Sequence, residues 1–134
     1  MNVFVDTSVW SLALRRGNPP PSPQVAYLTQ ALETGELVFT TGIVLQELLQ
    51  GFSGPKAGPQ IAKRFAALPF LVPEREDYIR AAELHNGCRR RGIAIGTIDA
   101  LLARLCIRHK LTMLTTDEDF GRIAEVGGFD VWGE

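Results

Sequence analysis

Apolar residues occur along this chain in two patterns, short uninterrupted runs and longer segments in which they return every three or four positions. The short runs predict five β-strands, at residues 2–5, 37–39, 70–72, 111–116 and 129–132. The longer segments predict seven helices, at residues 7–16, 22–34, 41–50, 59–68, 74–91, 97–109 and 118–126. Short strands that are apolar on both faces and separated by helices indicate an α/β protein, with a parallel sheet covered on both sides.

Glycine and proline punctuate this pattern. Gly35 and Gly92 follow the ends of two predicted helices, where glycine is a common stop. The segments GNPPPSP at 17–23 and GFSGPKAGP at 51–59 are predicted to be loops. Neither is long enough to separate domains, and 134 residues suit one domain with a substantial core. We therefore expect a single domain spanning residues 1–134.

Composition narrows the classes of function. The chain has 14 basic and 15 acidic residues, so binding to nucleic acid or a membrane must come from local patches rather than net charge. Cys88 and Cys106 are far apart in sequence, which favours free thiols in a reducing compartment. The first residues, MNVFVDTS, lack the pattern of a leader, and no apolar run approaches the roughly 18 residues of a membrane span. We expect a cytoplasmic protein without a membrane segment.

Three aspartates stand at the ends of predicted elements. Asp6 follows the first strand, Asp117 follows the fourth, and Asp99 lies in the first turn of a helix. Each position has an ordinary structural explanation. An aspartate caps a helix well, and a negative charge near a helix start gains from the helix dipole. Taken singly, these three acids do not distinguish capping from chemistry.

Glu47 is less easily explained, because it lies in the middle of the helical segment TGIVLQELLQG. Ile43 and Val44 precede it by four and three residues, so both are its neighbours on the helix surface. An acid against an apolar stripe is costly to bury unless it is paired or bound to a metal. The alternative is a side chain that reaches out to solvent from the edge of the stripe.

Taken together, the four acids suggest a site. Ligands of open parallel sheets bind at the carboxyl ends of the strands, near the point where strand order reverses. Four carboxylates at that edge would repel one another and raise one another's pKa, and a divalent cation removes the conflict. Ligand sets made only of oxygen favour Mg²⁺ or Mn²⁺ over zinc.

Four segments carry a resemblance to a known family: VFVDTSVW, TGIVLQELLQG, RRGIAIGTIDALLARLC and MLTTDEDFGRIA. In this order and spacing they resemble the PIN-domain nucleases, and among these the VapC-type toxins of bacterial and archaeal toxin–antitoxin pairs. The resemblance spans the whole chain. It implies a three-layer α/β/α sandwich with a parallel sheet of about five strands. It also implies an Mg²⁺- or Mn²⁺-dependent endoribonuclease that acts on RNA, a cognate antitoxin protein and a homodimer.

The resemblance also implies roles for individual residues. The family's four catalytic and metal-binding acids match Asp6, Glu47, Asp99 and Asp117. Supporting positions match the hydroxyls of Ser8 and Thr115, with Asp119 as a stand-in for Asp117. The chain departs from the family at Gly96, where many relatives carry proline. That change loosens the loop before Asp99 but removes no ligand.

Other interpretations stay open at this point. A PIN nuclease of RNA processing would need no antitoxin, and a binding module with a vestigial pocket would need no catalysis. A phosphoryl-accepting signalling domain also gathers acids at strand ends, but it usually has paired acids after the first strand, where Asp6 stands alone. His85 and His109 are too few to suggest a histidine-pair ribonuclease, and His85 with Cys88 gives at most half of a zinc site.

RNA binding would need cations near the acids. The candidates are Arg15, Arg16, Lys56, Lys63, Arg64 and the triplet Arg89, Arg90 and Arg91. The triplet is also explained as a favourable last turn of a helix with solvated side chains. Trp10 and Trp132 are expected to pack in or at the edge of the core.

Overall fold

Five parallel strands form one sheet in the computed structural model, which describes residues 1–15 and 22–134. The strands are β1 (Val3–Val5), β2 (Val38–Thr41), β3 (Phe70–Leu71), β4 (Thr112–Leu114) and β5 (Asp130–Val131). Their order across the sheet is β3-β2-β1-β4-β5, and every neighbouring pair is parallel. The predicted parallel α/β sheet is confirmed.

Seven helices in the described residues form the outer layers: α1 (Thr7–Leu14), α2 (Pro23–Glu33), α3 (Gly42–Gly51), α4 (Ala57–Phe65), α5 (Arg75–Arg90), α6 (Thr97–His109) and α7 (Asp119–Gly127). Helices α1, α2, α3 and α4 contact one another, and α5, α6 and α7 form a second group. The chain leaves β1 in one direction towards β3 and later returns to β4 on its other side. Right-handed crossovers in opposite directions place their helices on opposite faces, which gives the α/β/α sandwich.

The predicted boundaries differ from the observed ones most at α4. Thr41, predicted to start a helix, is the N-cap of α3 and also the last residue of β2, where its hydroxyl donates to the Leu71 carbonyl at 2.6 Å. Helix α4 begins at Ala57 rather than Pro59, because a proline in the first turn has no need of its missing N–H. The predicted loop 51–59 is therefore shorter than expected, and most of the predicted loop 17–23, together with Arg16, lies outside the described residues.

One apolar core runs through the sheet. Val3, Phe4 and Val5 of the central strand β1 are fully buried, as both covered faces of a parallel sheet require. Cys88 and Cys106 are free and buried, and burial raises the pKa of both thiols. In the part of the chain that the structure describes, no helix is long and apolar enough to cross a membrane.

Asp77 is a fully buried acid that the sequence pattern did not single out. Its carboxylate accepts hydrogen bonds from Arg104 Nε at 3.0 Å, from Arg108 and from the Glu74 backbone N–H at 2.8 Å. Burial alone would raise the pKa of Asp77, but these hydrogen bonds and the charge of Arg108 outweigh it and hold the pKa below its usual range. The ion pairs join the start of α5 to α6.

We predict that Asp77→Ala destabilises the fold by about 1.5–3 kcal/mol, because it removes the buried carboxylate that accepts from Arg104 and Arg108, although Arg108 keeps its contact with Glu74 at 2.8 Å. Urea denaturation measures this loss. The matched control is Glu76→Ala, whose exposed pair with Arg80 should contribute less than about 1 kcal/mol.

The pH dependence follows from the lowered pKa of Asp77. The group stabilises the fold above its unfolded pKa, near 4, and that contribution is lost as pH falls through the lower folded value. The stability gap between wild type and Asp77→Ala should therefore narrow below about pH 4. A gap that is small at neutral pH, or that widens in acid, would contradict this account.

Candidate active site

Asp6 lies at the carboxyl end of β1 and is only 8% exposed. Its Oδ1 accepts a hydrogen bond from the backbone N–H of Thr7 at 2.8 Å. Its Oδ2 accepts from the hydroxyls of Ser8 and Thr115, each at 2.9 Å. Asp6 therefore occupies the N-cap position of α1, as the structural explanation predicts, and three donors also fix its side chain in place.

Thr115 and Ser8 join the exits of β1 and β4. These strands are neighbours, and Val5 is paired with Leu114, so the residues that follow them lie side by side. The Thr115 hydroxyl donates to Asp6 and accepts from the Asp117 backbone N–H at 3.0 Å. The Ser8 hydroxyl likewise accepts from the Thr116 N–H at 3.1 Å. Both hydroxyls that the resemblance singled out contact Asp6.

Glu47 faces the same region from α3. It is half-buried, and its Oε1 accepts a hydrogen bond from the hydroxyl of Thr7 at 2.9 Å. Helices α1 and α3 are in contact, which brings the two side chains together across 40 positions of sequence. Sequence reasoning missed the role of Thr7. A threonine directly after the strand-end acid was the available signal, but it was read only as part of a helix start.

Asp99, in the first turn of α6, is close enough to the other acids for their charges to raise its pKa. The side chain is half-buried, and its pKa is raised to about 6. Burial is the largest cause, followed by the negative charges of Asp6, Asp117, Glu47 and Asp119. The aspartates and Glu47 therefore face one common region, although they come from four separate segments of the chain.

Asp117 and Asp119 are exposed at the start of α7. The Asp119 backbone N–H donates to Asp117 Oδ1 at 2.9 Å, so Asp117 also acts as a local cap. Its own N–H is tied to Thr115, and this links it directly to the hydrogen bonds around Asp6. The charge of Asp119 also raises the pKa of Asp99, but less than the charge of Asp117 does.

In residues 1–15 and 22–134, no three histidine, cysteine, aspartate or glutamate side chains already converge on one point as metal ligands. The acids are close enough for their charges to raise the pKa of Asp99, but their side chains do not converge on a single point. The four acids themselves offer only oxygen donors, and oxygen ligands favour Mg²⁺ or Mn²⁺ over zinc. Cys88, half of the remote zinc alternative, is fully buried.

The sheet order reverses at β1. The region between Asp6, Glu47, Asp99 and Asp117, which we call the acidic pocket, lies at the carboxyl end of β1 beside β4. A fold with this strand order is a doubly wound α/β protein, a class in which ligands bind at such a switch point. Residues 3–126 match the model of the PIN domain, and the chain belongs to the PIN-domain family.

The chain is similar to characterised members of this family. It is 28% identical over 126 residues to ribonuclease VapC11 of Mycobacterium tuberculosis, covering 92% of each chain. The structure of VapBC2 from Rickettsia felis, bound to a promoter DNA fragment, superposes with a TM-score of 0.74 at 20% identity, covering 98% of this chain and 97% of that one. The structure of VapC20 from M. tuberculosis, described as a sarcin–ricin loop cleaving toxin, superposes with a TM-score of 0.69 at 19% identity. The match covers 90% of this chain and 94% of that one.

Proposed function

We propose that this protein is a metal-dependent endoribonuclease and the toxin of a VapBC-type toxin–antitoxin pair. The observation that carries the proposal is that acids from four separate segments lie close together. Ser8 and Thr115 donate to Asp6, and Thr7 donates to Glu47. Burial and then the charges of Asp6, Asp117 and Glu47 raise the pKa of Asp99. Perturbed carboxylates in a cleft are typical of functional sites. The names of the relatives, ribonuclease VapC11 and the ribosomal-loop cleaving toxin VapC20, supply the reaction and the substrate class.

Asp6 and Asp99 would be the principal ligands of Mg²⁺ or Mn²⁺, with Asp117 completing the site and Glu47 orienting a water or holding a second ion. When bound, the ion lowers the pKa of a water and offsets charge on the phosphate oxygens. The protein's own part is positioning. Three donors hold the Asp6 carboxylate, and the Thr7 hydroxyl holds Glu47.

A divalent ion should stabilise the folded protein, because it relieves repulsion among these carboxylates. Linkage predicts about 2.7 kcal/mol at a hundredfold excess over Kd. Thermal melting in EDTA, then across millimolar Mg²⁺ and Mn²⁺, measures it without any assay of activity. The control is the same buffer without divalent ions, in which NaCl supplies the same ionic strength. An unchanged Tm in both metals would speak against the site.

Asp99→Asn should abolish RNA cleavage while the protein stays folded. Asparagine has nearly the same size and still suits a helix start, so a purely structural Asp99 predicts a neutral change. As a ligand, the lost charge weakens metal binding, and several kcal/mol of transition-state stabilisation correspond to a loss of at least about hundredfold. The readout is cleavage of total RNA with mapped ends, beside thermal melting.

Asp130→Asn is the matched control for this substitution, because Asp130 is an exposed aspartate on β5 that does not shift the pKa of Asp99. It should cleave at the wild-type rate. The same loss is expected for Asp6→Asn and Asp117→Asn. An Asp99→Asn protein that is folded and cuts RNA at the native rate would falsify the assignment.

A groove beside α1 and α4 fits the proposed antitoxin. It has a volume of about 600 Å³ and is lined by Leu14, Phe52 and Ile61, with Gln60 and Arg64 among its polar residues. An amphipathic segment can bury its apolar face in such a groove. An arginine or lysine at its end would be attracted by the negative potential of the acidic pocket. Segment 51–59, predicted to be a loop, contributes Phe52 and Ala57 to the lining of this groove.

Expression of the toxin alone in the cytoplasm of a bacterial host should arrest the growth of the cells. Co-expression of the protein encoded directly upstream should relieve this arrest. Gln60→Trp, at an exposed lining position, should fill the groove and leave the arrest unrelieved. The matched control is Gln50→Trp, exposed on α3 and outside the groove lining. If expression alone leaves growth untouched while RNA is cut in vitro, the alternative of an RNA-processing PIN nuclease without an antitoxin holds.

The proposed homodimer has a candidate surface in the other helical layer. Tyr78 and Ile79 of α5 are 56% and 48% exposed, and Ile98 of α6 is 37% exposed. Tyr78 and Ile98 also line an apolar cavity of about 460 Å³. Exposed apolar side chains grouped in this way are typical of a protein–protein contact.

A further inference from the structure

Another cavity, of about 370 Å³, adjoins the acidic pocket, and the function proposed so far assigns it no ligand. We call it the β5 pocket. Its lining comes from three segments: Pro23 and Gln24 at the start of α2, residues 115–118 after β4, and residues 131–134 at and after β5. Because Thr115 contacts Asp6, the β5 pocket opens directly beside the candidate reaction centre.

The charge of the β5 pocket limits what it can hold. Asp117, Glu118 and Glu134 line it, and no lysine or arginine does so among the residues that the structure describes. A phosphate group would be repelled by these carboxylates. A ligand group with N–H donors and no negative charge is favoured, and in an RNA strand that group is a nucleobase.

Trp132 gives the β5 pocket an aromatic wall. The indole is half-buried, and the ring of Tyr27 supports it at 5.0 Å between centroids with a tilt of 36°. The Tyr27 hydroxyl donates to Glu36 at 3.0 Å, so the supporting ring is itself held. Single-stranded RNA is commonly recognised by bases that stack on such side chains.

The polar groups of the β5 pocket match one base better than the others. The hydroxyl of Ser22 donates to Gln24 Oε1 at 3.2 Å, which leaves the amide NH₂ of Gln24 as a donor. The Glu118 carboxylate is an acceptor only. Guanine presents an acceptor at O6 and donors at N1 and N2 along one edge, whereas adenine and uracil do not present this combination.

We propose that the β5 pocket binds a guanine base of the RNA strand, stacked on Trp132 and paired with Glu118 and Gln24. This inference rests on the proposed ribonuclease function and makes Trp132 and Glu118 specificity-determining residues. Since Asp117 belongs to both the β5 pocket and the acidic pocket, and Thr115 of the β5 pocket contacts Asp6, the guanine belongs to a nucleotide adjacent to the bond that is cut.

The first test measures binding without catalysis. Trp10→Phe removes the buried second tryptophan, which packs on Phe65, and leaves Trp132 as the reporter of fluorescence. In EDTA, the hexanucleotide UUGUUU, followed by this quenching, should bind at least about tenfold more tightly than UUUUUU or UUAUUU, because adenine and uracil can stack but lack the hydrogen-bonding edge of guanine. Equal quenching by all three, or none, would overturn the proposal.

The second test maps cut sites in total RNA. Wild type should cut beside guanine, and Trp132→Leu should raise KM for a guanine-containing substrate roughly tenfold, with a smaller effect on kcat. Glu118→Gln should weaken the guanine preference, and it keeps the test decisive if Trp132→Leu does not fold, because Glu118 is exposed and makes no side-chain cap hydrogen bond. Glu125→Gln, exposed on the same helix outside the β5 pocket, is the matched control.

The outcomes separate this inference from the proposed function. If wild type cuts RNA and Asp99→Asn does not, but Glu118→Gln and wild type share the same base preference, the guanine pocket is wrong and the ribonuclease stands. If Trp132 fluorescence responds to the co-expressed antitoxin and not to any RNA hexanucleotide, the β5 pocket is a protein contact, and the inference is overturned.

Discussion

The parallel pairing of β1 with β4 is the contact on which the acidic pocket depends. Val5 is paired with Leu114, so Asp6 and Thr115 leave the sheet side by side and their hydrogen bond of 2.9 Å can form. A slip of one residue would turn Thr115 to the opposite face of the sheet. It would also separate Asp117, whose N–H is bound to Thr115, from Asp6. Complete burial of β1 on both faces makes such a slip costly, so the apolar core holds the polar site in register.

Two acids of this protein show how environment separates structure from chemistry. Asp77 is fully buried, yet Arg104, Arg108 and a backbone N–H keep its pKa low. Asp99 is half-buried, and its pKa rises to about 6 because of this burial and then because of the charges of neighbouring carboxylates. The first arrangement stabilises a helix contact. The second arrangement places like charges near one another, which costs free energy of folding. Such repulsion is typical of functional sites, where a bound ligand can offset it.

Structural and chemical explanations of the acids turned out to be compatible. Asp6 is the N-cap of α1 and is also held by Ser8 and Thr115 beside the other acids. Asp117 accepts the Asp119 N–H at the start of α7 and also contributes to the field at Asp99. The carboxyl end of a parallel strand is followed by a helix start, and both places favour the same side chains. A capping residue is therefore already in position to become a ligand.

The amino-acid sequence by itself determined the order of strands and helices, the parallel sheet and the short list of acids. These depend on local spacing, which a single chain displays directly. The helix boundary near Pro59 was less accurate, because the fit of a proline in a first turn depends on context. The distinction between Asp77 and Asp99, the contact of Thr7 with Glu47, and the pocket beside Trp132 were decided only by tertiary structure. Each joins residues far apart in sequence, and the energy of a charge depends on the groups that the fold places around it.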